Sequence, residues 1–314
     1  MPKFLFPTLI TLLILSLSSC RRSAAPVEVR RLDLALAGGS VPADTAMRRA
    51  ADLLFAISGY GPLDPESAAR YAANPSVTAH RAATDSAFAD ISPLEQSLGE
   101  VADGLARNLP AVRMPRVYTI ISPFRQSVIT ADTVIFIGLN HYLGTSYEPY
   151  GYFPDYQRRR KIPSRIAPDV AEAIVRAAYP YSPSTPTPTA LSAMLYEGAV
   201  AEAVSCIAGV TTDEAIGYTP GEAAELDRNA AAMWRRMVEE RMVYSTDPAV
   251  ARSLTALSPA TAVISPDAPG AAGRRIGVDI VRAYASSHPD ATLDDLLRLY
   301  LSPTALRDSG FGGY

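Results

Sequence analysis

The chain has 314 residues, of which 48% are hydrophobic and 19% charged, and its formal net charge is −3. This length and composition are enough for one large domain that is stabilised by burial. No basic stripe stands out beyond the short run Arg158–Lys161, which argues against nucleic acid as a partner.

The beginning of the chain has the three parts of a bacterial secretory signal. Lys3 is close to a nearly unbroken apolar run from Phe4 to Leu17, and small residues follow. As a helix such a run spans about 21 Å, which is short of the roughly 30 Å hydrocarbon layer, so a lasting transmembrane helix is disfavoured. Residues 1–19 are therefore predicted to be a signal peptide that is removed.

The last residues of this segment, Leu17-Ser18-Ser19-Cys20, resemble the lipobox of bacterial lipoproteins. The resemblance implies cleavage before Cys20 and lipid on its thiol, which would anchor the chain to a membrane. Residues 20–26 would form a short tether, and the alternative is an ordinary signal peptide with a chance cysteine. Cys206, the other of the two cysteines, then has no partner for an internal disulfide. Its apolar surroundings predict a small buried residue, not a reactive thiol.

In the first half of the chain the patterns alternate between strand and helix. Alternation over Val27–Leu36 predicts an opening strand, and the apolar spacing of Ala46–Ile57 predicts an amphipathic helix. Ser92-Pro93 predicts the start of a helix that ends near Leu109. Short β-branched and aromatic runs then predict a small sheet, with a turn at Ser122-Pro123. These runs are Arg116–Ser122, Gln126–Thr130 and Thr133–Leu139.

From Pro168 onward the patterns are helical almost to the end. The predicted helices are Pro168–Ala178, Thr189–Ile207, Pro220–Val243, Pro248–Leu257, Gly273–Ser287 and Leu293–Leu301. The proline-rich stretch Pro180–Pro188 is interpreted as a rigid exposed loop, not as a linker between domains. The predicted fold is α+β, a single helix-dominated domain over residues 27–314 with a small sheet in its first half.

Several segments resemble, in order and approximate spacing, the gliding motility lipoprotein GldB family. They are Thr133–Gly144 with Tyr150, Ile216–Thr219, Trp234, Tyr244–Asp247 and Gly273–Tyr284. The resemblance implies a cell-envelope lipoprotein, lipid-anchored at the outer membrane and needed for gliding motility in organisms that glide. The family is also distantly similar to predicted secreted zinc peptidases, which implies a zincin-like arrangement of sheet and helices.

The peptidase similarity directs attention to Tyr196-Glu197-Gly198-Ala199-Val200, which stands where such enzymes carry His-Glu-x-x-His. In those enzymes the two histidines hold zinc and the glutamate activates the bound water. Tyr196 and Val200 replace the histidines, so no zinc site of this kind is expected on this helix. Glu197 is interpreted as an ordinary polar residue in preference to a surviving general base. These three residues form a candidate vestigial groove.

The remaining chemistry-bearing residues give no support for a metal or a cofactor. His80, His141 and His288 are far apart in the sequence; the fold could bring them together, but a metal site is not expected. Gly59-Tyr60-Gly61 lacks the third glycine of a dinucleotide-binding motif. No cofactor is therefore predicted.

Residues 141–161 combine many aromatic side chains with a run of cations, and we call them the aromatic–basic segment. The candidate recognition residues in it are Tyr147, Tyr150, Tyr152, Tyr156, Arg158, Arg159 and Arg160. Aromatic rings beside cations suit recognition of an envelope protein, peptide or glycan. A long loop whose rings pack over the sheet edge while its basic residues stay solvated is the other interpretation, and the sequence alone favours it over recognition.

Two functions of different classes follow from these observations. The first is a non-catalytic envelope lipoprotein that binds or assembles other envelope components. The alternative is a peptidase-like hydrolase with a degenerate zinc site, which would use Glu197 or another acid. The missing histidines favour the first function.

Overall fold

The computed structural model describes residues 24–122, 126–182 and 188–314. The predicted signal peptide and the lipobox, with Cys20, lie outside the described residues. So do Pro123, in the predicted turn Ser122-Pro123, and residues 183–187 of the proline-rich loop.

A four-stranded mixed sheet lies in the first half of the chain. Its strands are β1 (Val29–Arg30), β2 (Arg116–Ile120), β3 (Val128–Ala131) and β4 (Val134–Gly138). Their order is β1-β2-β4-β3, with β1 and β4 parallel to β2 and β3 antiparallel to β4. All residues of β4 are buried, as expected of a strand covered on both faces. The predicted small sheet is therefore confirmed.

Five helices lie between strands β1 and β2 in the sequence. They are α1 (Leu32–Ala35), α2 (Thr45–Ser58), α3 (Pro65–Ala72), α4 (Pro75–Ala87) and α5 (Ser92–Asn108). The predicted helices at α2 and α5 are confirmed, whereas the prediction of a strand throughout Val27–Leu36 is wrong. The chain turns into α1 after β1 because Leu32 and Leu36, one helical turn apart, are both buried while Leu34 between them is 48% exposed.

The second half of the described chain is helical, as predicted. Its helices are α6 (Asp155–Arg158), α7 (Ile166–Ala178), α8 (Ala190–Ala208), α9 (Thr212–Ile216), α10 (Pro220–Glu239), α11 (Pro248–Thr255), α12 (Ala272–Ser287), α13 (Leu293–Arg298) and α14 (Ala305–Asp308). Short 3-10 turns occupy Leu139–His141, Glu148–Tyr150, Pro163–Arg165 and Leu299–Leu301. The helix-dominated α+β fold is confirmed.

Helix α8 is the central helix of the larger hydrophobic core, with 13 of its 19 residues buried. Thr189 begins it with a capping box, and Gly209 ends it with a left-handed φ of 68°. Within the described part of the chain, α8 is long and apolar enough to cross a membrane by length and composition alone. Since 72% of that stretch is buried inside the fold, its apolar character is explained by core packing.

Glycines let neighbouring helices approach α8 closely. A β-carbon on Gly277 of α12 would lie far inside contact distance of the Met194 carbonyl oxygen, and one on Gly198 would collide with the backbone of Gly277. Gly104 of α5 makes the same kind of contact with the Ile207 carbonyl oxygen. The backbones of three helices therefore touch where a side chain would separate them.

The prediction that Cys206 is buried is wrong, because its side chain is exposed. The residue lies one helical turn after Glu202, on a stripe of α8 that reaches the surface near the end of the helix. The apolar residues around it in the sequence face the core on the other sides of the helix.

Candidate functional site

A cavity of about 970 Å³ lies between α4, the start of β3, the aromatic–basic segment and α7. This volume is at the upper end of the range for small-molecule sites. Side chains that line it come from separate parts of the sequence, among them His80, Gln126, Tyr152, Lys161 and Arg176. The fold therefore brings the aromatic–basic segment over a ligand-sized space.

Tyr150 forms part of the inner wall of this cavity and is only 3% exposed. Its hydroxyl donates to the Asn140 carbonyl oxygen at 2.5 Å and accepts from the Leu143 backbone N–H at 3.2 Å. Burial raises the pKa of Tyr150 to about 12. Its ring meets those of Tyr147 and Phe153 edge to face. Tyr150 is thus a packing residue that holds the segment in place.

Tyr152 has the opposite environment, since it is 78% exposed at the mouth of the cavity. Its ring lies 4.2 Å, centre to centre, from that of Phe153. Tyr156 is half-buried and accepts a hydrogen bond from the Gln157 side chain at 2.9 Å. Tyr147 is half-buried, does not line the cavity, and shares a 2.9 Å hydrogen bond with Nδ1 of His80. The segment thus has an inner and an outer set of rings.

The cations of the segment also differ in their surroundings. Arg158 pairs with Asp155 at the surface, and Arg159 pairs with Glu222 of α10 at 2.8 Å. Arg160 points inward, where it donates to the Ile216 carbonyl oxygen and lies 3.6 Å from Asp169. The basic residues are therefore not a uniformly solvated fringe, because Arg160 ties the segment to α7 and α9.

Lys161 faces the cavity and contacts aromatic rings. Its Nζ lies 4.2 Å from the centre of the Phe153 ring and 5.0 Å from that of Tyr150. In the described residues no carboxylate lies within ion-pair distance of this ammonium group. Burial lowers the pKa of Lys161. It is a half-buried cation without a direct ion pair among the described residues, and the charge of Asp169 only partly offsets the effect of burial.

Four charged residues from α7, α8 and the start of α12 form a compact network behind the cavity. Arg176 donates two hydrogen bonds to Glu197, at 3.0 and 2.6 Å, and pairs with Glu172 at 2.9 Å. Arg274 lies 3.2 Å from Glu197 and 3.9 Å from Glu172. Burial alone would raise the pKa of Glu172, but the guanidinium groups of Arg176 and Arg274 outweigh it and bring the pKa to about 2. Arg176 and Glu172 also line the cavity.

The candidate vestigial groove divides between this network and the core. Tyr196 and Val200 are 4% and 2% exposed, so both side chains pack in the core. The Tyr196 hydroxyl donates to the Tyr179 carbonyl oxygen at 2.8 Å, and its ring packs against those of Tyr181 and Tyr300. Glu197 is held by the guanidinium groups of Arg176 and Arg274. Sequence reasoning gave no sign of this pairing, because its partners lie 21 and 77 positions away.

Two of the three histidines come together at the cavity although the sequence separates them. His80 and His141 both line it, whereas His288 is stacked on Tyr284 elsewhere. Burial and the charge of Lys161 lower the pKa of His80. Within residues 24–122, 126–182 and 188–314, no three His, Cys, Asp or Glu side chains are grouped as metal ligands.

The fold and the cavity define the structural class of this protein. It is a helix-dominated α+β domain with a ligand-sized cavity that is lined by tyrosines and cations. The model of the family described as gliding motility protein GldB matches residues 21–312, and the chain belongs to this family. The family name implies a lipoprotein of the cell envelope. No curated protein and no solved structure matches the chain. The zincin-like arrangement and the peptidase similarity stay predictions.

Proposed function

We propose that this protein is a non-catalytic binding component of the cell envelope, lipid-anchored through Cys20 at the outer membrane, that captures another envelope molecule at its aromatic–basic segment. The observation that carries the proposal is the position of this segment over a cavity of about 970 Å³, with Tyr152 exposed at the mouth and Lys161 inside. Exposed aromatic rings and cations at a concave surface are typical of recognition sites.

The ion pairs of Glu197 support a binding role over the alternative hydrolase. A general base must be free to take a proton from water. Glu197 instead receives hydrogen bonds from Arg176 on both carboxylate oxygens and lies beside Arg274. Both carboxylate oxygens are therefore already engaged by guanidinium groups and are not free to position a water molecule.

A photoreactive phenylalanine analogue at position 152 tests the binding role in intact cells. We expect it to form a covalent adduct with an envelope molecule, because Tyr152 is exposed at the cavity mouth. The same analogue at position 244 is the matched control, since Tyr244 is 62% exposed and does not line the cavity. Mass spectrometry of the adducts is the measurement. The binding role is contradicted if position 152 gives no adduct, or only those that position 244 gives.

The anchor has its own test in the two cysteines. Replacing Cys20 by serine should remove the protein from sedimented membranes after lysis without detergent, or leave an uncut precursor, because serine cannot take the thioether-linked lipid. Cys206→Ser is the control and should sediment like the parent, since Cys206 lies far along the chain on the surface of α8. A processed Cys20→Ser protein that still sediments with the membranes would show that lipid on this residue is not the anchor.

A further inference from the structure

The inner wall of the cavity and the network behind it carry an excess of positive charge. The cations are Arg160, Lys161, Arg165, Arg176 and Arg274, and the carboxylates paired with them are Asp169, Glu172 and Glu197. Five cations against three carboxylates leave two positive charges. In a half-enclosed space such an excess attracts anions more strongly than on an open surface.

The carboxylates of this wall are already occupied. Asp169 accepts from the Tyr142 hydroxyl at 2.9 Å and from Nε of Arg165 at 2.9 Å, and it lies 2.8 Å from Nη2 of the same arginine. Glu172 is paired with Arg176 at 2.9 Å. Arginines therefore offset most of the negative charge of these acids, although Asp169 still acts on Lys161 from a distance.

Lys161 is the group at which the excess charge reaches the cavity. Its ammonium rests against the rings of Phe153 and Tyr150, and burial lowers its pKa because the charged form loses hydration. An anion beside it would offset that loss of hydration. The site thus favours a ligand that brings at least one negative charge.

The rest of the lining favours a molecule that is polar around its edge and apolar on one face. Neutral hydrogen-bonding side chains, among them Ser76, Gln126 and Gln157, line the cavity together with the rings of Tyr152 and Tyr156. A lipid chain would leave these polar groups without partners, which is costly. A sugar ring offers hydroxyl groups to the polar side chains and a C–H face to an aromatic ring.

We propose that the cavity binds an acidic saccharide, with its carboxylate or phosphate against Lys161 and a sugar ring against Tyr152. This inference rests on the proposed binding role and specifies the class of ligand.

The test uses the full chain, purified in detergent and applied to an array of immobilised saccharides that carry uronic acids, phosphate groups or no charge. We expect binding to acidic saccharides and little to neutral ones of the same length. Comparing the saccharides that carry uronic acids with those that carry phosphate groups identifies which anion the cavity prefers. Lys161→Met should weaken that binding at least tenfold, and Lys161→Arg should retain most of it.

Two variants separate recognition from folding. Tyr152→Ala should weaken binding without a change in melting temperature, because the ring is 78% exposed. Arg307→Gln is the control outside the aromatic–basic segment and should bind like the parent, since Arg307 pairs with Asp308 at the surface and does not line the cavity.

The inference is overturned if neutral saccharides bind equally well, or if folded Lys161→Met binds like the parent. It also falls if no saccharide binds while the analogue at position 152 still captures a protein or peptide, and in that case the binding role stands. If neither experiment detects a ligand, both proposals fail.

Discussion

Replacing Gly277 by alanine is expected to lower the free energy of unfolding by about 3 kcal/mol, the upper end of the usual cost of overpacking a core. The added methyl group would collide with the carbonyl oxygen of Met194 in the facing helix, and backbone cannot rotate away as a flexible side chain can. Helices α8 and α12 would have to separate along their whole contact. Gly198→Ala should have a comparable effect, because its β-carbon meets the backbone of Gly277.

Gly221→Ala is the matched control for this pair. Gly221 lies in the first turn of α10, and the nearest atom to an added β-carbon is the Thr219 hydroxyl oxygen at 3.9 Å. There the substitution should leave stability unchanged or raise it by up to about 1 kcal/mol, since alanine is the better helix former. Chemical denaturation of the three purified variants gives the measurement. A Gly277→Ala protein as stable as Gly221→Ala would show that the two helices are not held at this close distance.

The second large effect is expected at the ion network behind the cavity. Arg176→Gln should lower the free energy of unfolding at pH 7 by about 2 kcal/mol, because it removes the main partner of two largely buried carboxylates. The figure is below the full cost of breaking a buried pair because the Arg176 side chain is 30% exposed. Arg236→Gln is the control and should change stability by less than about 0.5 kcal/mol, since its pair with Glu240 is at the surface.

The difference in the free energy of unfolding between the parent and Arg176→Gln should depend on pH, and that dependence identifies its cause. The pKa of Glu172 falls from its ordinary 4.5 to about 2 in the folded protein. A carboxylate with a lowered pKa stabilises the fold above its ordinary pKa, and this contribution is lost as the pH falls towards the folded value. The gap in stability between the parent and Arg176→Gln should therefore narrow between about pH 4.5 and about pH 2. A gap that stays constant over this range would assign the effect to lost packing instead of charge.

The sequence was sufficient for those elements whose pattern has only one structural solution. Helices α7, α8, α10 and α12 are long segments rich in apolar residues. The segments at β2 and β4 are short and rich in β-branched residues. The opening segment was ambiguous because Leu32, Leu34 and Leu36 fit both a strand and a helical turn. Helices α3 and α4 were missed although Asp64-Pro65 and Asn74-Pro75 are good starting signals, with a capping side chain before a proline in each.

Only the part of the candidate site that one continuous segment forms was predictable from the sequence. The density of tyrosines and cations in residues 141–161 is a sequence property, and the structure places most of these residues at the cavity. That Tyr150 faces inward and Tyr152 outward depends on packing around a 3-10 turn, which no simple periodicity describes. His80, Glu172 and Arg176 reach the cavity from other helices, so their contribution depends on tertiary contacts. The role of Gly198 was equally hidden, because close approach of two helices is a property of the pair.

The position of β1 decides how the protein responds to mechanical tension. Strand β1 is two residues long and lies at the edge of the sheet, directly after the first described residues. Besides its pairing with β2, it is held by hydrogen bonds from the Val27 and Val29 N–H groups to Glu95. A pull on the chain before residue 24 would act first on β1 and on these hydrogen bonds to α5. Because Val29 is buried in the same hydrophobic core as α8, a load at the beginning of the domain is transmitted directly to that core.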